Sequence, residues 1–164
     1  MGSLHSPFIL YDLQFRISNY IVHNFLIGVY TAPMDRSSFE KLVENALTRL
    51  PHRFKQKIKN ISIEVEDSPS PEVLQDMGIE RGTLFGLYQG VPLPAREWNY
   101  GNVLPDRIVI YQRPIEQAAQ SPEEIEEVVL ETVIHEIGHY FGFNDDELYS
   151  IEDEKARRKE RKKE

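Results

Sequence analysis

Ser121-Pro-Glu-Glu-Ile-Glu-Glu-Val-Val-Leu-Glu-Thr-Val-Ile-His-Glu-Ile-Gly-His-Tyr-Phe-Gly142 is the stretch on which the fold of this chain turns. Ser121 is a strong N-cap, Pro122 suits the first helical position, and Glu124 completes a capping-box pattern. Ile125, Val128, Val129, Thr132 and Val133 then recur at helical spacing and form an apolar face. Gly142 is placed to end the helix in a left-handed turn, a conformation that glycine adopts at little cost. The spacing therefore predicts a helix of about five turns, long enough to run through the core of a small domain.

The same helix carries His135, Glu136 and His139. Histidines four apart lie on one face, one turn above the other, so both imidazoles can reach a single ion. Glu136 projects near a water on that ion without being a ligand itself. A zinc ion lowers the pKa of such a water toward neutrality, and a neighbouring carboxylate can take the proton. Gly142 follows three residues after His139 and Asp145 three residues after that, giving His-Glu-x-x-His-x-x-Gly-x-x-Asp. A sharp turn at the glycine brings Asp145 back toward the ion as a third ligand. The other histidines, His5, His23 and His52, all precede the motif. Asp146 and Glu147 are the rival acids, and spacing favours Asp145.

Outward from this helix, Ser37-Ser38-Phe39-Glu40 fits another capping box. Phe39, Leu42, Val43, Ala46, Leu47 and Leu50 predict an amphipathic helix behind it. A further helical turn is expected through Phe54 and Ile58. Ile61, Ile63 and Val65 alternate with polar residues as in a half-buried strand. A short helix ending at Gly78, a strand from Thr83 to Val91 and a third strand from Arg107 to Gln112 complete the expected elements. The loop between the last two strands includes Trp98 and Tyr100. Residues 1–33 look unlike the rest: Met1-Gly2-Ser3 resembles an appended leader, and Met34 would make a natural second start. The domain is therefore expected over 34–150, with a charged tail over 151–164.

With 164 residues, 40% hydrophobic and 28% charged, the chain suits one globular domain. No segment has the 18 or so apolar residues of a membrane span, and the N-terminus lacks a signal-peptide pattern. There is no cysteine, so any metal site must use histidine and carboxylate ligands. These features favour the cytoplasm and no membrane partner. The net charge of −8 argues against nucleic-acid binding, which needs Lys and Arg to neutralise phosphates. The basic run Lys155 to Lys163 is expected to be a solvated helix end or flexible tail, the sharper reading being a docking tail for an acidic partner.

Several stretches together resemble the small, single-domain bacterial zincin-like metallopeptidases. They are the helix from Phe39, the strand Ile61 to Asp67, Leu87-Tyr88-Gln89-Gly90-Val91-Pro92-Leu93, Leu104-Pro105-Asp106-Arg107-Ile108, Arg113-Pro114-Ile115 and the motif from His135 to Gly142. The likeness spans residues 34 to 150. It implies a compact α+β domain with a small mixed sheet, an N-terminal helix and an active-site helix. It also implies zinc held by His135, His139 and Asp145, with Glu136 as general base. By the same resemblance, the strand at Arg107 to Gln112 would be the edge along which a peptide or protein substrate lies. Relatives with a glycine-bearing motif place a methionine beneath the metal, but Met1, Met34 and Met77 all lie upstream here. Leu148 or Tyr149 is expected to fill that role, and Tyr149 could alternatively stabilise an oxyanion. The activity implied is zinc-dependent peptide hydrolysis. A zinc-holding interaction module, or a hydrolase of non-peptide amides, is the alternative.

Overall fold

The computed structural model describes residues 33–96 and 104–161. The extension expected over residues 1–33 lies, up to residue 32, outside the described residues, as do Trp98, Tyr100, Lys162 and Lys163. Six helices and a three-stranded mixed sheet make up the described part. In chain order they are α1 (Arg36–Thr48), α2 (His52–Lys55), β1 (Ile61–Glu66), α3 (Pro71–Asp76), β2 (Gly86–Gln89), β3 (Asp106–Tyr111), α4 (Gln112–Ala118), α5 (Pro122–Tyr140) and α6 (Asp145–Glu160). A 3-10 turn spans Leu93–Ala95. No described helix is long and apolar enough to cross a membrane.

The strand order is β1-β3-β2, with β1 parallel and β2 antiparallel to β3. This corrects the expectation that Arg107 to Gln112 is an edge. The strand there is the middle one, bonded on both sides. Its side chains show why: Ile108 and Ile110 on one face and Val109 and Tyr111 on the other are all buried. Apolar residues on both faces mark a strand covered from above and below, whereas an exposed edge reads as alternation. Gln112, expected in the strand, opens α4 instead.

On the first face, Ile108 and Ile110 meet Val65 of β1, Phe39, Val43 and Ala46 of α1, and Val129, Val133 and Ile137 of α5. Burying each such aliphatic or aromatic side chain contributes about 1.5–3 kcal/mol, so this layer fixes α5 against the sheet. On the other face, Val109, Tyr111 and Leu87 pack with Ile79 and Leu84, and with Val73, Leu74 and Met77 of the α3 region.

The caps are partly as the sequence suggests. Ser121 accepts from the Glu124 backbone N–H at 3.1 Å, while the Glu124 carboxylate reaches back to the Gln120 N–H at 2.7 Å. The Ser37–Glu40 box does not form. Asp35 caps α1, accepting from the Ser38 N–H at 3.0 Å, and Glu40 pairs with Arg36. An aspartate at the cap leaves Ser37 and Ser38 as further donors to its carboxylate. At the chain's end, α6 runs without a break from Asp145 to Glu160, held on its surface by the Asp153–Arg157 and Glu154–Arg158 pairs.

Candidate metal centre

Helix α5 delivers His135, Glu136 and His139 to one end of the molecule, and the turn after it returns the chain. Gly142 has φ +92°, in the left-handed region. Its N–H donates to His139 O at 2.9 Å, and the Phe143 N–H donates to Gly138 O at 3.1 Å. This pair of bonds closes the helix in a Schellman turn. Two residues later Asn144 caps α6 with a full capping box: its side chain accepts from Glu147 N–H at 3.0 Å, and the Glu147 carboxylate accepts from Asn144 N–H at 2.9 Å. Asp145 therefore becomes the first residue of α6, aimed back at α5.

The result is a group of three. His135 Nε2 lies 3.4 Å from Asp145 Oδ1, and His139 Nε2 lies 3.3 Å from the same oxygen. All three donor atoms fall within 4.8 Å of one another. Zinc bonds of about 2.0–2.1 Å in tetrahedral geometry place neighbouring ligand atoms about 3.3–3.4 Å apart, which is the spacing of both histidines from the acid. His139 Nδ1 lies 3.0 Å from the Phe143 carbonyl oxygen. A carbonyl only accepts, so Nδ1 carries the proton and Nε2 presents its lone pair to the group's centre. Asp145 is 4% exposed, and burial of a carboxylate between two imidazoles is costly unless a cation or protons balance it. The donors are thus of the right chemistry and number for a zinc site with an open fourth position, and each histidine stands at ligand spacing from the acid.

Of the rival acids, Asp146 is exposed and Glu147 is spent on the cap, so neither is brought to the histidines. The group found among the described residues has these three members alone. Leu148 is buried against Gly138, and the Tyr149 ring stands 5.8 Å from the His135 ring. Both positions expected to support the site in place of a methionine are therefore next to it.

Glu136 is 4% exposed and sits beside the three ligands, against β2. Burial pushes its carboxyl above the usual carboxylate range. His135, His139 and a hydrogen bond from the Tyr88 backbone N–H oppose that rise, and Asp145 adds to it. The net direction is upward. For His139, burial pulls the imidazole down, but Asp145 and Glu136 outweigh it and hold the ring above its ordinary value.

Sequence reasoning missed Gly86 and Tyr88. A Cβ on Gly86 would lie 2.7 Å from Glu136 Oε1 and 2.8 Å from Thr132 Cγ2, so the missing side chain is what lets Glu136 reach the strand. A glycine inside an otherwise apolar strand pattern is the signal of a close approach.

No curated protein matches the chain. A conserved hypothetical protein from Thermo thermophilus, of known structure, is similar at 25% identity, over 65% of this chain and 92% of that one, with a TM-score of 0.45. The family model for zincin-like metallopeptidases matches residues 58–155, which takes in the sheet, the histidine helix, the Gly142 turn and Asp145. That match spans more than half of the sequence, and the chain belongs to the zincin-like metallopeptidase family.

Proposed function

We propose that this chain is a zinc-dependent peptidase in which His135, His139 and Asp145 hold the metal and Glu136 is the general base. The observation that carries the reading is the meeting of two imidazole nitrogens with Asp145 Oδ1 at 3.3–3.4 Å, beside a buried carboxylate that is not one of the three. Zinc bound there would lower the pKa of a water to about 7 and polarise the carbonyl under attack. Glu136 takes the proton as the carbonyl is attacked and passes it to the departing amine. A carboxyl raised by burial above the usual carboxylate range suits both transfers better than an ordinary one. The Tyr88 N–H fixes the direction in which that carboxylate faces.

A peptide substrate would lie along the outer edge of β2, the strand next to Glu136 that has β3 on one side and no strand on the other among the described residues. An extended chain added there would present its carbonyls to the site by main-chain bonding.

The test is Glu136→Gln assayed beside wild type on a peptide library with zinc supplied. The variant should keep its zinc and lose hydrolysis by roughly 10²–10⁴-fold, the usual contribution of a general base. Equal rates in the two proteins would contradict the mechanism. Tight zinc with no wild-type turnover would favour the interaction-module alternative.

A further inference from the structure

A second buried charged cluster lies on the same sheet face as α5, packed against Tyr140 beyond the histidines and centred on Asp106, the first residue of β3. Asp106 is 2% exposed, and its Oδ2 accepts from the Tyr88 hydroxyl at 2.5 Å and from Arg96 Nη2. Arg96 Nε donates to Val91 O at 2.9 Å. One guanidinium therefore ties both ends of the Val91–Arg96 loop to the start of β3. The Arg96 guanidinium stands 4.8 Å from the centre of the Tyr140 ring, and the Tyr88 ring meets that same ring edge-on at 6.3 Å. Gly90 leaves the space for this: a Cβ there would lie 2.6 Å from Asp106 Oδ2. The loop in turn covers the motif's turn, since a Cβ on Gly142 would lie 2.8 Å from Pro94 Cγ.

Tyr88 joins this cluster to the metal centre. Its side chain belongs to the cluster, and its backbone N–H holds the Glu136 carboxylate. A buried ion pair seldom adds net stability over well-packed apolar residues, so its presence asks for a use in fixing one arrangement. We infer that Arg96 and Asp106 are positioning residues: through Tyr88 they set the strand edge that holds Glu136, and through the Val91–Arg96 loop they cap the Gly142 turn. The inference rests on the reading of Glu136 as the general base for its effect on rate, but its structural half stands without it.

The experiment compares the full-length, zinc-supplied wild type with Tyr88→Phe and Asp106→Asn by amide hydrogen exchange, and by kcat and KM on any library peptide that wild type cleaves. Exchange at Tyr88, Ala95 and Arg96 should speed by about tenfold or more in both variants, while the Val129–Val133 amides of α5 keep their protection. Zinc stoichiometry should hold, and kcat should fall roughly 10–100-fold with KM little changed, as expected of a displaced catalytic group. Unchanged protection at those three amides would overturn the proposal. So would acceleration spread evenly into α5, which marks a merely structural role. Tyr88→Phe removes a single hydroxyl, and it decides the matter if Asp106→Asn does not fold. If wild type cleaves nothing, the peptidase reading fails, and the exchange result still decides the positioning claim.

Discussion

Gly138 on α5 and Leu148 on α6 share one volume: a Cβ at position 138 would collide with Leu148 Cδ2 and lie 3.1 Å from Cδ1. The helix bearing the histidines can thus be approached by the helix bearing Asp145 because residue 138 has no side chain. Leu148 is buried in that contact, one turn along α6 from the acid it seats.

Gly138→Ala should therefore push α6 outward and draw Asp145 away from the two Nε2 atoms. Overpacking of this kind costs about 1–3 kcal/mol, and we expect a weakening of zinc affinity by about tenfold or more alongside it. Chelator competition and urea unfolding measure the two effects. Zinc affinity equal to wild type would show that α6 does not need this close approach.

Gly86→Ala tests the other glycine at the site. The new methyl would overlap Glu136 Oε1 and Thr132 Cγ2, both on side chains buried against β2. Zinc binding should survive, because the ligands lie on α5 and α6, while hydrolysis should fall by roughly 10²-fold as Glu136 loses its seat. Retained activity in a peptide assay would mean that Glu136 works from another position.

Zinc binding should weaken as pH falls, because protons compete for the imidazoles at roughly tenfold per pH unit for each one displaced. The carboxylates of Asp145 and Glu136 hold His139 above the ordinary histidine value, so the decline should begin at higher pH than for a free imidazole. Competition titrations between about pH 8 and pH 5.5 read this directly. An affinity that stays level across that window would exclude the histidines as ligands.

The cap of α1 gives a second loss on acidification, in a lower pH range. The Ser37 and Ser38 hydroxyls and the Ser38 N–H hold the Asp35 carboxyl down at about 2, against an ordinary value of 3.8. A lowered folded pKa contributes stability that is present above the ordinary value and is lost as pH falls through about 2. Asn also caps well but does not titrate. The difference in urea midpoint between wild type and Asp35→Asn should therefore shift toward the variant as pH drops from about 4 to 2. A constant difference would show that the carboxylate's charge does not matter there.

The histidine helix was legible because its signals are local. Ser121, Pro122 and the apolar spacing set its course, and Gly142 ends it in the left-handed turn read from the motif. Asp145 was legible for the same reason, since a Schellman turn and an N-cap fix where the next residue faces within a few positions. Strand order was not, because pairing joins Ile61 to Asp106 and Leu87 to Val109 across long separations. The continuous apolar run Ile108 to Tyr111 could have shown that β3 is central. The Tyr88–Asp106–Arg96 cluster leaves no periodic trace, for its members meet only after the sheet has formed. The Asp35 cap was missed by two residues because Ser37 offers the same chemistry in the same run.

Elemental metal analysis of the purified wild type beside Asp145→Ala tests the central claim most directly. The account predicts about one zinc per wild-type chain, held at the three-ligand site, and a zinc content lost or much reduced in the variant. A wild-type chain that takes up no stoichiometric metal when zinc is supplied would contradict it.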